Sequence, residues 1–339
     1  MASACAPAGR AGPAAFGIIP VVPAEAIPPG GGAALLRFGK SRRQTVVRSR
    51  GTSLIAIAAG IGALWALLAA QVPAQTPRIV RQIDHVLIES AEPESLFSLL
   101  SETFQLPVVW PMSDYGRFAS GGVAAGNVNL EVIRAPAARA GGARSRWAGF
   151  ALEPEPLVAS LAELQARGIS HGAPAPFTSK GPDGSAITLW TTVGLPSVSH
   201  DAAPVFLCEY AFDVPARRRQ SLEELRVRRG GPLSIRSVRE IVLGSTDVRD
   251  LQARWQALLA PRQPSPPGVW ALGAGPAVRV AAAPQTGVRG LVVTVDSLPE
   301  ARRFLAERGL LGEARQDQLV LNGPDLTGLN ITLVEGGGM

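Results

Sequence analysis

Few side chains in this chain of 339 residues are equipped for acid–base or metal chemistry. There are three histidines, His85, His171 and His200, and two cysteines, Cys5 and Cys208. Imidazoles and carboxylates serve proton transfer and cation binding, so what matters is which of them share a face. QIDHVLIES (82–90) has the length and β-branched content of a strand. Its alternation predicts Ile83, His85 and Leu87 on one face and Asp84, Val86 and Ile88 on the other. In GNVNLEVI (126–133), Asn127, Asn129, Glu131 and Ile133 share a face opposite Val128, Leu130 and Val132. In PVFLCEYAF (204–212), Val205, Leu207 and Glu209 share another, which turns Cys208 the opposite way and towards burial rather than reactivity. His171 follows a helical stretch and precedes Pro174, and His200 lies in SVSHDAAP, so both read as solvated loop residues. Trp110, Tyr115 and Phe118 surround SDYGRFASGGV, whose glycines permit a tight hairpin or a close ligand approach. These aromatics line either a pocket mouth or a core. No GxSxG elbow, Walker loop, zinc-finger spacing or HExxH occurs.

The elements that must position these residues recur in order. After the first strand, EPESLFSLLSETFQ (92–105) puts Leu96, Leu99, Leu100 and Phe104 on one helical face, and Pro107 ends it. Residues 118–126 and 128–133 read as strands. A second pass runs from RWAGFALEP (146–154) through the helix PLVASLAELQARG (156–168) to ITLWTTVG and PVFLCEYAF. The charged segment 214–236, with Arg217, Arg218 and Arg219, reads as a linker outside both cores. SVREIVLGS (237–245) and VRDLQARWQALLA (248–260) then repeat the opening, and RGLVVTVDS with the helix LPEARRFLAERG starts a fourth pass. Repetition of a βαβββ unit is the strongest architectural signal.

Charge and hydropathy separate a leader from this body. The chain is 46% hydrophobic and 18% charged, enough apolar side chain for a real core. Its formal charge of +6 is misleading, because residues 1–74 hold seven of the 33 basic residues and only one of the 27 acidic ones. The remainder carries 26 of each, so no nucleic-acid partner is expected. Residues 1–53 read as disordered or as the basic flank of a leader, and LIAIAAGIGALWALLAA (54–70) as an apolar run. Segment 54–74 is thus expected to be a signal peptide or a membrane anchor, with Val72 and Ala74 at a cleavage site. It would engage the membrane or the export machinery, making the protein periplasmic, secreted or anchored. Cys5 lies in the leader, so a processed chain has no second cysteine for an internal disulfide.

The repeat order, with IDHV opening a unit and GNVNLEVI closing it, resembles the vicinal oxygen chelate superfamily in its glyoxalase-like branch. The resemblance implies an α+β fold of two tandem domains, 82–213 and 237–336, each built of two βαβββ units forming a half-open mixed β-barrel. It also implies metal ligands on the first, fourth, fifth and eighth strands, which selects His85, Glu131 and Glu209; the fifth strand, WAGFAL, offers none. These three could hold Fe, Mn, Zn or Ni, with Glu131 also carrying the proton as the catalytic group. Asn129, Trp110, Tyr115 and Phe118 would contact a small-molecule ligand. The expected function is a metal-dependent lyase, isomerase or dioxygenase acting on a small oxygenated molecule. The alternative is a metal-free protein that binds or sequesters a small molecule in the same cavity. In the second domain Glu240 and Arg279 stand where His85 and Glu131 stand in the first. That pair reads as a structural ion pair, or Arg279 as a contact for an anion.

Overall fold

The longest strands carry β-branched and apolar runs, and they form the middle of two sheets. The computed structural model describes residues 76–114, 118–134, 144–181, 183–200 and 203–336. The apolar run 54–70 and Tyr115 lie outside them. No helix among the described residues is long and apolar enough to cross a membrane. The first sheet has eight strands in the order β2-β3-β4-β1-β5-β8-β7-β6. They are β1 (Val80–Ser90), β2 (Val108–Asp114), β3 (Ala119–Ala124), β4 (Asn129–Arg134), β5 (Ser145–Pro154), β6 (Ala175–Lys180), β7 (Ala186–Gly194) and β8 (Val205–Tyr210). β1 pairs parallel to β4 and antiparallel to β5, and β5 pairs parallel to β8, so the sheet curls into a half-barrel.

The second sheet has seven strands in the order β10-β11-β9-β12-β15-β14-β13. These are β9 (Ile235–Ser245), β10 (Val269–Trp270), β11 (Ala277–Ala282), β12 (Gly287–Val295), β13 (Leu311–Ala314), β14 (Gln318–Leu321) and β15 (Ile331–Glu335). Only two strands, β10 and β11, follow the helix after β9, so this sheet is one strand short of the first. The described residues from Pro77 onward make one compact unit.

Helices cover the convex faces. α1 (Pro93–Ser98) starts with Pro93 at its first position and continues as a π-helical turn, Leu99–Thr103. Leu96, Leu100 and Phe104, four residues apart, are buried by it. α2 (Leu157–Ala166) buries Leu157, Ser160 and Leu164. α4 (Val248–Leu259) is capped by Asp247, whose carboxylate accepts from the Asp250 N–H at 3.0 Å. Its buried residues Leu251, Trp255, Leu258 and Leu259 follow helical spacing. Trp255 stacks on Phe150 of β5, with ring centroids 5.8 Å apart, which joins the two halves through one core. α5 (Leu298–Glu307) covers the second sheet on Leu298, Ala301 and Leu305.

Residues 214–236, expected as a linker outside the cores, are ordered differently. They form α3 (Val214–Val227), a 3-10 turn at Gly231–Leu233 and the start of β9. Asp213 caps α3 by accepting from the Ala216 N–H, and Leu225 and Leu233 are buried. The segment looks polar because one apolar residue per few turns suffices to dock an amphipathic strap.

β1 departs from simple alternation. Ile83 pairs with Leu152 but His85 with Ala151, so Asp84 is an extra residue in the ladder, a β-bulge. The bulge turns Ile83 into the large core with Val86 and Ile88, and leaves Asp84 and His85 close together on the concave side. This corrects the expectation that Ile83 shares a face with His85 and Asp84 opposes it.

Candidate functional site

The concave side of the first sheet holds a chain of polar groups inside an aromatic and aliphatic shell. That shell is Leu87, Ala148, Ala151, Trp190, Phe206 and Cys208. At its centre His85 Nδ1 donates to Asp84 Oδ2 at 2.6 Å. The Tyr210 hydroxyl donates to the same oxygen at 2.9 Å. Arg218, from α3, donates to Asp84 Oδ1 and also to Glu153, which accepts from Gln82 Nε2 at 2.9 Å. On the other side His85 Nε2 faces Glu131 Oε2 at 3.4 Å. Glu131 Oε1 accepts from the Ser120 hydroxyl at 2.7 Å, and Ser120 accepts from the Trp110 Nε1–H at 3.2 Å. His85 and Glu131 have no exposed surface.

Local sequence explains these placements. Glu131 sits opposite Gly122 in the β3–β4 ladder, and the Trp110 ring lies on that glycine, where an added Cβ would come within 2.4 Å. Only glycine leaves room for the indole there. Phe206 meets the His85 ring edge-on, 5.8 Å between centroids.

Electrostatics separate the three ionisable groups. Burial alone would raise the Asp84 carboxyl, but the His85 hydrogen bond and the charges of His85 and Arg218 outweigh it and hold it below the usual range. Burial alone would lower His85, yet the Asp84 hydrogen bond and the charges of Asp84 and Glu131 raise it. Glu131 is raised by burial, against the opposing pull of His85 and Ser120. Asp84 is thus biased towards its ionised form, while His85 and Glu131 both hold a proton more readily than usual.

The sign of the resulting pH dependence follows. His85 binds its proton more tightly folded than unfolded, so its stabilisation is complete below its ordinary 6.5 and is lost as pH rises through the raised folded value. Glu131 acts in the same direction, starting above 4.5. Asp84 acts oppositely, its stabilisation being lost only as pH falls below 3.8 towards the lowered folded value. Urea midpoints in the wild type are expected to decline as pH rises from about 6.5 through the raised folded value of His85. Each tenfold by which folding tightens proton binding is worth about 1.4 kcal/mol of that decline. The decline should flatten in His85→Asn; an equally steep decline in that variant would reject the assignment.

The residues singled out in the sequence do not all converge. His85 and Glu131 do. Glu209 does not: Val205, Leu207 and Glu209 face the helices, and Glu209 Oε1 accepts from the Leu157 N–H at 2.7 Å, at the start of α2. The alternation along β8 is as expected but the face is the opposite one, and a carboxylate at a helix N-terminus satisfies an otherwise unpaired amide. Cys208 and Tyr210 take the concave side instead. Asn129, half-buried, pairs with His85 across the β1–β4 ladder and stands nearest the outside. Trp110 is 8% exposed, with its indole N–H on Ser120, and Phe118 is half-buried. Sequence reasoning passes over Asp84, Ser120, Tyr210 and Arg218. The first is hidden by the bulge and the last by its place in an apparent linker.

A cation would need donors about 2.0–2.3 Å from its centre. Nε2 of His85 and Oε2 of Glu131 are buried, lack hydrogen-bond partners, and at 3.4 Å could be neighbouring ligands of such an ion. A third is wanting. Burial, with the Asp84 charge next, keeps the Cys208 thiol protonated, and Tyr210 likewise keeps its proton and donates it to Asp84. β5 presents Ala148 and Ala151. Among the described residues no group of three or more His, Cys, Asp or Glu side chains is placed to hold a metal. The donor set does not fit a catalytic metal, whose sites use three protein ligands.

In the second sheet Ala277 pairs with Glu240 and Arg279 with Val242, the same register as Asn129 with His85 and Glu131 with Leu87. Glu240 and Arg279 thus occupy the places of His85 and Glu131, and Arg279 Nε donates to Glu240 Oε2 at 2.6 Å.

No family model and no curated protein matches the chain. Solved structures do. The 2,3-dioxygenase LapB from Pseudomonas sp. KL28 superposes with a TM-score of 0.51 at 12% identity, covering 77% of this chain and 94% of its own. An extradiol ring-cleaving dioxygenase from B. fuscum gives a TM-score of 0.51 at 10% identity, covering 78% and 74%. At such identities the likeness is one of fold: this chain shares the fold of the extradiol ring-cleaving dioxygenases.

Proposed function

We propose that the protein is an exported, glyoxalase-like vicinal oxygen chelate protein of two tandem domains, and that its first half-barrel binds a small hydroxylated molecule without a metal. The observation that carries this is the pair of buried atoms His85 Nε2 and Glu131 Oε2, one a donor and one an acceptor, with no hydrogen-bond partner of their own. A ligand hydroxyl can accept from the first and donate to the second, which an apolar ligand cannot do. Trp110, resting on Gly122, offers an indole face beside the pair, so a phenol or catechol suits the site better than an aliphatic alcohol. The fold likeness to proteins named as dioxygenases supports a small-molecule ligand. The missing third donor favours binding over ring cleavage.

Elemental analysis of the full chain, purified without a metal-affinity tag, tests the metal-free reading. Iron, manganese, zinc and nickel are expected well below stoichiometry, with no change in His85→Ala. Calorimetric titration with catechol should show binding that weakens about tenfold in Glu131→Leu, as expected for loss of one hydrogen bond to a charged or buried group. A stoichiometric metal that disappears in both His85→Ala and Glu131→Ala would overturn the proposal and restore the metal-dependent enzyme.

A further inference from the structure

A cavity of about 550 Å³ lies away from His85, where the beginning of β5 meets the beginning of β12. Its walls include Trp147, Val288 and Leu329, and its polar lining includes Arg146, Arg289 and Asn330. The size is that of a pocket for a small organic molecule. None of the described residues lining it is acidic. Arg146 is occupied by an ion pair with the buried Glu89. Arg289 is exposed and has no carboxylate partner among the described residues. Its stem lies on Gly244, where an added Cβ would come within 2.6 Å of Cγ, so the glycine lets the arginine lie flat across β9. Arg289 and Asn330 also line a smaller recess of about 120 Å³ with Arg279, whose charge Glu240 neutralises. An unpaired guanidinium beside an indole and two aliphatic side chains is the recognition chemistry of an amphiphilic anion.

We propose that this cleft binds a small aromatic carboxylate, with the carboxylate on Arg289 and the ring against Trp147, Val288 and Leu329. The site is independent of the His85–Glu131 pair and does not rest on the function proposed for it. Trp147 Nε1 is buried without a hydrogen-bond partner, and the residue forms part of the wall, so its fluorescence reports occupancy. Titration of the full chain with 1-naphthoate, followed by tryptophan fluorescence and calorimetry, is expected to show one saturable site. Arg289→Gln should weaken naphthoate about tenfold or more, the loss expected for a charge-assisted contact, and leave the neutral 1-naphthalenemethanol unaffected. Thr286→Glu, at the exposed rim, should weaken naphthoate as well, through like charge. Glu131→Leu, which tests the His85–Glu131 pair, should change nothing. Absence of saturable binding, equal affinity in Arg289→Gln, or dependence on Glu131 instead would each overturn the assignment.

Discussion

Asp84→Ala is expected to cost about 3–5 kcal/mol of folding stability, the range found when one partner is removed from a buried ion pair. The substitution strands three groups at once. His85 Nδ1, the Tyr210 hydroxyl and one arm of Arg218 all lose their acceptor, and His85 has no exposed surface through which water could replace it. His85 then loses the bond and the charge that raise it, and burial drives it neutral. Equilibrium urea unfolding near pH 6 measures the loss. Asp84→Asn should recover part of it, since an amide oxygen still accepts. The double variant Asp84→Ala with Arg218→Ala should be less damaged than the sum of the singles. A loss under about 1 kcal/mol for Asp84→Ala would mean the network contributes little to the fold.

Trp255→Ala is expected to be comparably severe, about 3–5 kcal/mol, because it empties a fully buried ring from the core. Its particular consequence is mechanical. The ring stacks on Phe150, so α4 of the second half is packed into the first sheet. Wild type should therefore melt in a single transition, whereas Trp255→Ala should separate it into two. Asn127, which donates to the Ala274 carbonyl and accepts from the Val238 N–H, is a second tie that limits the separation. Calorimetry distinguishes the outcomes. Two transitions already present in the wild type would show that the halves are energetically independent despite the stack.

Much of the fold is legible in the residues. The strand runs at 82–90, 128–133 and 237–245, and the helices at 248–260 and 298–309, show plain periodicity and lie where it puts them. What escapes has a physical reason. β2 and β6 are the two edges of the first sheet, and each carries a proline, Pro111 and Pro176, which an edge tolerates because one side of the strand needs no donor. Those prolines make the segments read as loops. β13 is likewise an edge and only four residues long. At the site, alternation groups Glu131 correctly with Asn129 and Ile133, since β4 is regular. Alternation cannot say which of two faces is concave, and for that reason Glu209 reads as a neighbour of His85. Arg218 has no local signal at all, because its role depends on a helix returning over β1 and β5.

The ladder shifts at Arg81 and again at Asp84, and the second gives β1 a new phase that runs from His85 to the end of the strand. Every side chain from His85 onward takes its side of the sheet from the phase that begins after Asp84. Protein engineers treat a strand as a uniform ruler along which substitutions can be grafted by counting in twos; here the count restarts midway. Residues transplanted from a regular strand onto positions 82–90 would arrive with the two sides of Asp84 out of phase. A deletion confined to this one position would trade the imidazole for a neighbour while leaving composition almost untouched. The polar centre of the half-barrel is thus encoded less by which residues are present than by where the chain takes one step more than its partner.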